Sequence, residues 1–192
     1  MSIQNDALIE IKKRKKEILD YFAHPSIYLP VSNPFTIFMA GSAGAGKTEF
    51  SQKFNSDSYI SYATKVPIVR IDADEIRKLL PQYNGRNAEE VQAAATNGVE
   101  KLFDFVLKKD QNAIVDTTFS DYGKALKNVE RSLSHNRKVG IFYIHFDPRI
   151  AWAYTKVREK SDGRVVSTEF FIESYFESKN NVNKIKKEFP GI

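Results

Sequence analysis

The sequence contains no cysteine. That excludes disulfides and thiolate metal sites, and it fits a reducing compartment. No stretch approaches the ~18 consecutive apolar residues of a membrane span. The N-terminal segment lacks the apolar core of a signal peptide, so a soluble cytoplasmic protein is expected, with no membrane contact. Histidine is scarce, and His24, His135 and His145 stand at no ligand spacing, so no zinc site is expected. There are no internal repeats and no sign of a second domain. The formal net charge of +5 suits an anionic substrate such as a nucleotide. It is too mild to argue for nucleic acid by itself. What the chain does have is apolar bulk. Its 192 residues are 42% hydrophobic, with 14 Phe and 9 Tyr, which is enough for a globular domain with a substantial core.

The most informative stretch is Gly41-Ser42-Ala43-Gly44-Ala45-Gly46-Lys47-Thr48, which fits G-x-x-x-x-G-K-[ST] at every fixed position. Before it runs Phe35-Thr36-Ile37-Phe38-Met39-Ala40, of strand composition, and after it Glu49-Phe50-Ser51-Gln52-Lys53-Phe54, which can be helical. Strand, glycine-rich loop and helix form the context that separates a phosphate-binding loop from a chance glycine-rich turn. Glycines let several backbone N–H groups point at one phosphate chain, and the helix adds its free N–H groups and positive dipole end. The nucleotide contacts are therefore expected from residues 41–49, Glu49 included. Lys47 should reach the β- and γ-phosphates, and the Thr48 hydroxyl should ligate Mg²⁺.

Around this loop, apolar periodicity predicts alternating elements. A helix is expected over 3–22, interrupted in character by the basic run Lys12-Lys13-Arg14-Lys15-Lys16. That run is either a nucleic-acid or partner contact or a solvated face with Glu10–Arg14 and Lys13–Glu17 one turn apart; the bracketing glutamates favour the second. Strands are expected at 35–40, 67–72, 112–116 and 138–146. Helices are expected at 75–80, 88–109, 121–135, 148–160, 167–178 and about 180–188, with 59–65 irregular or partly helical. Gly98, in the middle of the longest helix, calls for a close-packing or ligand explanation. The chain divides into an N-terminal helix and connector over 1–34 and a domain over 35–192. The alternation argues an α/β fold of P-loop kinase type, a parallel sheet with helices on both faces. Ligands in such sheets bind beyond the carboxyl ends of the strands. There the sequence places the glycine loop, Asp72 and Asp74, Asp116 to Ser120, and His145 with Asp147. Asp116 ends an apolar strand, where an acid can hold Mg²⁺ or its water, or act as a turn acid.

Four features together resemble the zeta-toxin kinases of bacterial toxin–antitoxin systems. They are the P-loop after a helical lead-in; Arg70-Ile71-Asp72-Ala73-Asp74-Glu75-Ile76-Arg77, similar to the family's I-D-x-D-x-[FL]-[RK] segment; Glu100 in the long helix; and the pair Arg158 and Arg164. The resemblance covers roughly residues 35–175. It implies that Asp74, the second acid of the motif, takes the proton of the acceptor hydroxyl, while a helix N-cap is the structural alternative. It implies that Arg158 and Arg164 form a lid that meets charge on the transferring phosphoryl group. Asp72, Asn97, Glu100 and Thr118 are the implied acceptor contacts, and Asp116 joins Thr48 on Mg²⁺. The family usually has Glu-Gly-Thr where this chain has Asp116-Thr117-Thr118, Ala73 replaces an often polar position, and an arginine carried downstream is missing. These departures bear on the acceptor.

The expected activity is ATP-dependent transfer of the γ-phosphate to a hydroxyl of a nucleotide sugar, UDP-N-acetylglucosamine by resemblance, with an antitoxin protein as partner. GTP is the alternative donor, although no Asn-Lys-x-Asp guanine-reading run is present. Two other readings stay open: a polynucleotide 5′-hydroxyl or nucleoside kinase, and a nucleotide-dependent switch that binds a protein partner.

Overall fold

A computed structural model describes residues 2–56 and 66–192; the expectation for 59–65 lies outside the described residues. Four parallel strands form one sheet in the order β2-β3-β1-β4. They are β1 (Phe35–Ala40), β2 (Val69–Ile71), β3 (Ala113–Val115) and β4 (Lys138–Tyr143). The helices are α1 (Ile3–Lys13), α2 (Lys15–Ala23), α3 (Lys47–Ser56), α4 (Ala73–Lys78), α5 (Gln92–Lys108), α6 (Tyr122–Ser134), α7 (Pro148–Asp162) and α8 (Thr168–Glu188).

Strand residues alternate between two faces, as the pleat requires. Phe38, Ala40, Val69, Ile71, Ala113 and Val115 enter the large core shared with α1, α2, α4, α5 and α6. Met39 and Ile114 face the other way, onto a smaller cluster with Ile68, Phe54 of α3 and Phe142. The sheet is thus covered on both faces, as the apolar strands predict. Ala7, Ile11, Ile18, Leu19 and Ala23 of the first two helices belong to the same core as the sheet.

Several boundaries differ from the sequence reading. The expected helix over 3–22 bends at Arg14, whose ψ is 13°. The hydrogen-bond ladder still passes through it, and its guanidinium donates to Leu79 O of the α4 end at 2.5 Å. Arg14 also pairs with Glu17 and lies 3.9 Å from Glu10, while the four lysines around it are exposed. α4 begins earlier than expected, because Asp72 caps it by accepting from Asp74 N at 2.8 Å. The two helices expected after residue 167 are one. Asn181 in their midst spends its amide on Phe119 O and Ser120 O, at 3.1 and 2.7 Å. Those bonds override its poor helix propensity.

Gly98 is explained by packing. A Cβ there would lie 2.7 Å from Ile76 Cγ2 of α4 and 3.2 Å from Ile11 Cδ1 of α1. Overpacking costs about 1–3 kcal/mol, against at most about 1 kcal/mol gained in helix propensity. Gly98→Ala is therefore expected to lower the urea midpoint of unfolding and Gly98→Leu to lower it further. A raised midpoint in the alanine variant would show that α5 does not need this close approach.

Candidate active site

The phosphate loop takes its shape from glycine. Gly41, Gly44 and Gly46 have φ of 139°, 73° and 86°. At two of them space is decisive as well as conformation: a Cβ on Gly41 would lie 2.4 Å from Ile144 O, and one on Gly44 2.1 Å from Ala151 O. Lys47 opens α3, and its ammonium folds back over the loop, donating to Gly41 O at 3.0 Å and Ser42 O at 2.7 Å. Burial brings its pKa down to about 8, with Arg164 and Arg158 pushing the same way and Asp116 and Glu49 opposing.

The loop is fastened from outside by residues that motif reading passed over. Gly41 N donates to Thr118 O at 3.1 Å. Ala43 N donates to Ser174 Oγ of α8 at 3.3 Å, and Ser178 Oγ donates to Thr118 O at 2.6 Å. Both serines are fully buried, one helical turn apart among Phe171 and its neighbours. Two serines four residues apart on the buried face of a helix are the one sequence signal they carry.

The acids divide their work. Asp72, as the cap of α4, leaves Asp74 with its whole side chain available. Asp74 Oδ1 accepts from Arg77 at 2.7 Å, and Oδ2 accepts from Arg158 at 2.8 Å and Arg164 at 2.6 Å. Burial would lift its pKa, but Arg164, Arg77 and Arg158 together hold it below the ordinary value. Asp72 moves the other way, to about 6, through burial and the repulsion of Asp116 and Asp74, which outweigh Arg70 and the Asp74 N–H. Arg70 joins Asp72 and Asp116, reaching Asp116 Oδ2 at 3.0 Å. Burial works against its charge, and the two carboxylates more than restore it.

These groups surround a cavity of about 430 Å³. The fold brings Ala43 to Glu49, Asp72, Asp74, Asp116, Thr118, Arg158 and Arg164 to its walls, and Phe146, Tyr154 and Val157 add an apolar side. Gly41 and Ser42, at the start of the loop, are not on these walls, and their carbonyls accept from Lys47. Asn97 and Glu100 are not on these walls. Glu100 pairs with Arg131 of α6 at 2.8 Å, and Asn97 Oδ1 is buried with no hydrogen-bond partner among the described residues. Arg164 follows Gly163, the left-handed end of α7. A Cβ on Gly163 would lie 2.3 Å from Arg86 Cα, so glycine is required by this close approach.

The Thr48 hydroxyl and Asp116 carboxylate open on the same cavity. Among the described residues, no group of three or more His, Asp or Glu could hold a metal on its own. Two hard oxygen donors beside a phosphate loop suit Mg²⁺, which keeps its waters and is completed by substrate phosphates.

A lysine and threonine heading the helix after such a loop, with acids at the ends of the sheet's strands, define the P-loop nucleotide-binding proteins. Within that class the chain belongs to the zeta toxin family, whose model matches residues 21–191. It is accordingly an ATP-dependent phosphotransferase of the P-loop kinase type. Among solved structures it is similar to a chain of the PezAT chromosomal toxin–antitoxin system of Streptococcus pneumoniae, with a TM-score of 0.70 at 18% identity over 100% of this chain and 77% of that one. It is similar to a chain of the AvrRxo1-ORF1:-ORF2 structure with ATP, with a TM-score of 0.66 at 10% identity over 97% and 58%. A chain of the Pnkp1/Rnl/Hen1 RNA repair complex gives 0.61 at 16% identity over 81% and 47%. At these identities the likeness is one of fold, and the chain spans less than two thirds of the last two. No curated protein matches the sequence.

Two predictions follow from the charges. Lys47 is mostly neutral at pH 9 in the free protein, and a bound phosphate chain restores its charge. Calorimetry in buffers of differing ionisation enthalpy should find nearly one proton taken up with ATP–Mg²⁺ at pH 9 and little at pH 7. Equal uptake at both would contradict the lowered pKa.

Asp74→Asn should cut turnover ~10²-fold or more. It should also cost ~1–3 kcal/mol of stability near neutrality, through the weakened bond to buried Arg77. Because the folded-state pKa of Asp74 is depressed, its contribution is present above about 3.9 and lost as pH falls through the folded value. The unfolding midpoints of wild type and variant should therefore converge in acid. A gap that persists there would mean the charge is not what Asp74 contributes.

Proposed function

We propose that this protein phosphorylates a sugar hydroxyl of a nucleotide sugar in the cytoplasm, with ATP as donor and UDP-N-acetylglucosamine as acceptor. The observation that supports phosphoryl transfer best is Asp74 in the same cavity as Lys47, gripped by the arginines that face it. The nucleotide sugar follows from the family resemblance.

In this reading the loop N–H groups and Lys47 hold the triphosphate. Lys47 leaves the carbonyls of Gly41 and Ser42 for the phosphate oxygens. Mg²⁺, held by Thr48 and Asp116, would neutralise phosphate charge when bound. Arg158 and Arg164 transfer from Asp74 to the γ-phosphoryl oxygens, where negative charge spreads during transfer. Losing two cations makes Asp74 more basic at the moment it must take the acceptor proton. The acceptor oxygen bonds to the γ-phosphorus, the bond to the ADP oxygen breaks, and the proton ends on Asp74. Ligand-free, the same contacts neutralise Asp74 and hold Arg158 and Arg164 beside it. A protein antitoxin is the partner proposed, by likeness to a chain of the PezAT toxin–antitoxin system.

A second reading, a polynucleotide 5′-hydroxyl kinase, draws on the likeness to a chain of an RNA repair complex and on exposed Lys12, Lys13, Lys15 and Lys16. Labelled γ-phosphate should be offered to nucleotide sugars, nucleosides and oligonucleotides in parallel. Label on the sugar of a nucleotide sugar is expected. Arg164→Ala should lower that turnover by ~10²-fold or more while ATP affinity changes less, since the arginine meets charge that grows during transfer. Label confined to oligonucleotides, lost when the four lysines become Gln, would replace the first reading by the second. An Arg164→Ala variant altered only in ATP affinity would remove the lid role.

A further inference from the structure

Arg70 is the one charged residue of β2. Val69 and Ile71 on either side turn into the large core, both at 0% exposure. The pleat therefore sends Arg70 to the opposite face, toward α3. There its Nε donates to Ser51 Oγ at 2.9 Å, and its Nη2 donates both to Asp116 Oδ2 at 3.0 Å and to Asp72 Oδ2. Ser51 lies one turn beyond Thr48. Its hydroxyl is shared between Thr48 O at 3.0 Å and Asp116 Oδ2 at 3.3 Å. One guanidinium so ties together the ends of two strands and the first turn of the P-loop helix. The arginine side chain is 12% exposed, Asp72 8% and Asp116 7%.

We propose that Arg70 is a positioning residue of the site, its guanidinium standing between Asp72 and Asp116 where a bridging cation would otherwise bind, so that divalent metal enters only together with the nucleotide. Two carboxylates on neighbouring strands, shielded from water, repel unless a cation lies between them. A single nitrogen bonded to one oxygen of each is such a cation, fixed covalently. It cancels one of the two negative charges and occupies one Asp116 oxygen. What remains is too little for a free divalent ion, which gains enough oxygens only when phosphates arrive. The planar fork also sets the direction of Asp116, since it spans Ser51 and the acids at once, which an ammonium cannot do. Arg158 and Arg164 do not share this work; both are spent on Asp74. The inference rests on reading Thr48 and Asp116 as the Mg²⁺ side of the cavity.

The test is Mn²⁺ binding by electron paramagnetic resonance, first without nucleotide and then with a non-hydrolysable ATP analogue. Without nucleotide, R70M should bind Mn²⁺ at least ~10-fold more tightly than wild type, because a charge is removed from a low-dielectric site. Adding D116N to R70M should reverse the gain. R70K keeps the cation but not the fork. It should bind free Mn²⁺ as weakly as wild type, yet turn over on the order of 10²-fold more slowly through a misplaced Asp116. R70M affinity no greater than wild type overturns the proposal. So does wild-type turnover in R70K, which decides the matter should R70M not fold. The Mn²⁺ readings do not depend on the acceptor, and the R70K turnover is read with whichever acceptor the wild type labels. Wild type that fails to bind Mn²⁺ even with the analogue would instead overturn the metal reading of Thr48 and Asp116, and this inference with it.

Discussion

The carboxylate of Asp74 sits where three guanidinium groups meet, and much of the site is held together by that contact. Arg77 comes from the same helix, Arg158 from α7 and Arg164 from the chain just beyond it. Asp74 thereby ties the end of α7 and the residues just beyond it to the start of α4. The same contacts suppress its basicity. In the proposed reaction a phosphate chain on the neighbouring loop would compete with Asp74 for Arg158 and Arg164. On that proposal rest and reaction use the same side chains in two pairings.

The second constraint is the pleat. Alternation along β2 turns Val69 and Ile71 inward and leaves Arg70 facing α3. Because the strands are parallel and in register, Asp72 and Asp116 leave adjacent strands at the same edge, with Ile71 opposite Val115. Two acids delivered side by side require a cation, and the pleat has already placed one. The phosphate loop meets the same edge from β1, between β3 and β4, so the anion-binding loop shares one cavity with the acids. α8 closes the arrangement: Ser174 and Ser178 hold the loop and the segment after β3 in fixed relation. A helix more than a hundred residues beyond the phosphate loop in sequence thus holds that loop in place.

Sequence alone determined the phosphate loop, because its conformation rests on glycines and its chemistry on Lys47 and Thr48, all local. It also determined the parallel α/β class, since strand and helix periods are properties of short segments. The separate roles of Asp74 and of Arg158 and Arg164 were implied by family resemblance, and only the tertiary structure showed these groups in contact. The choice between cap and cavity for the two acids was tertiary too. Both precede a helix, and only the backbone at residue 72 makes the first of them the cap. Asn97 and Glu100, which the resemblance put beside the acceptor, lie off the cavity walls, since the face a helical residue presents is set by what the helix packs on. The bend at Arg14, the unbroken α8, the fastening serines and the bridging role of Arg70 were illegible for one reason. Each is fixed by partners tens of residues away, and a hydrogen bond between distant segments leaves no periodicity in either.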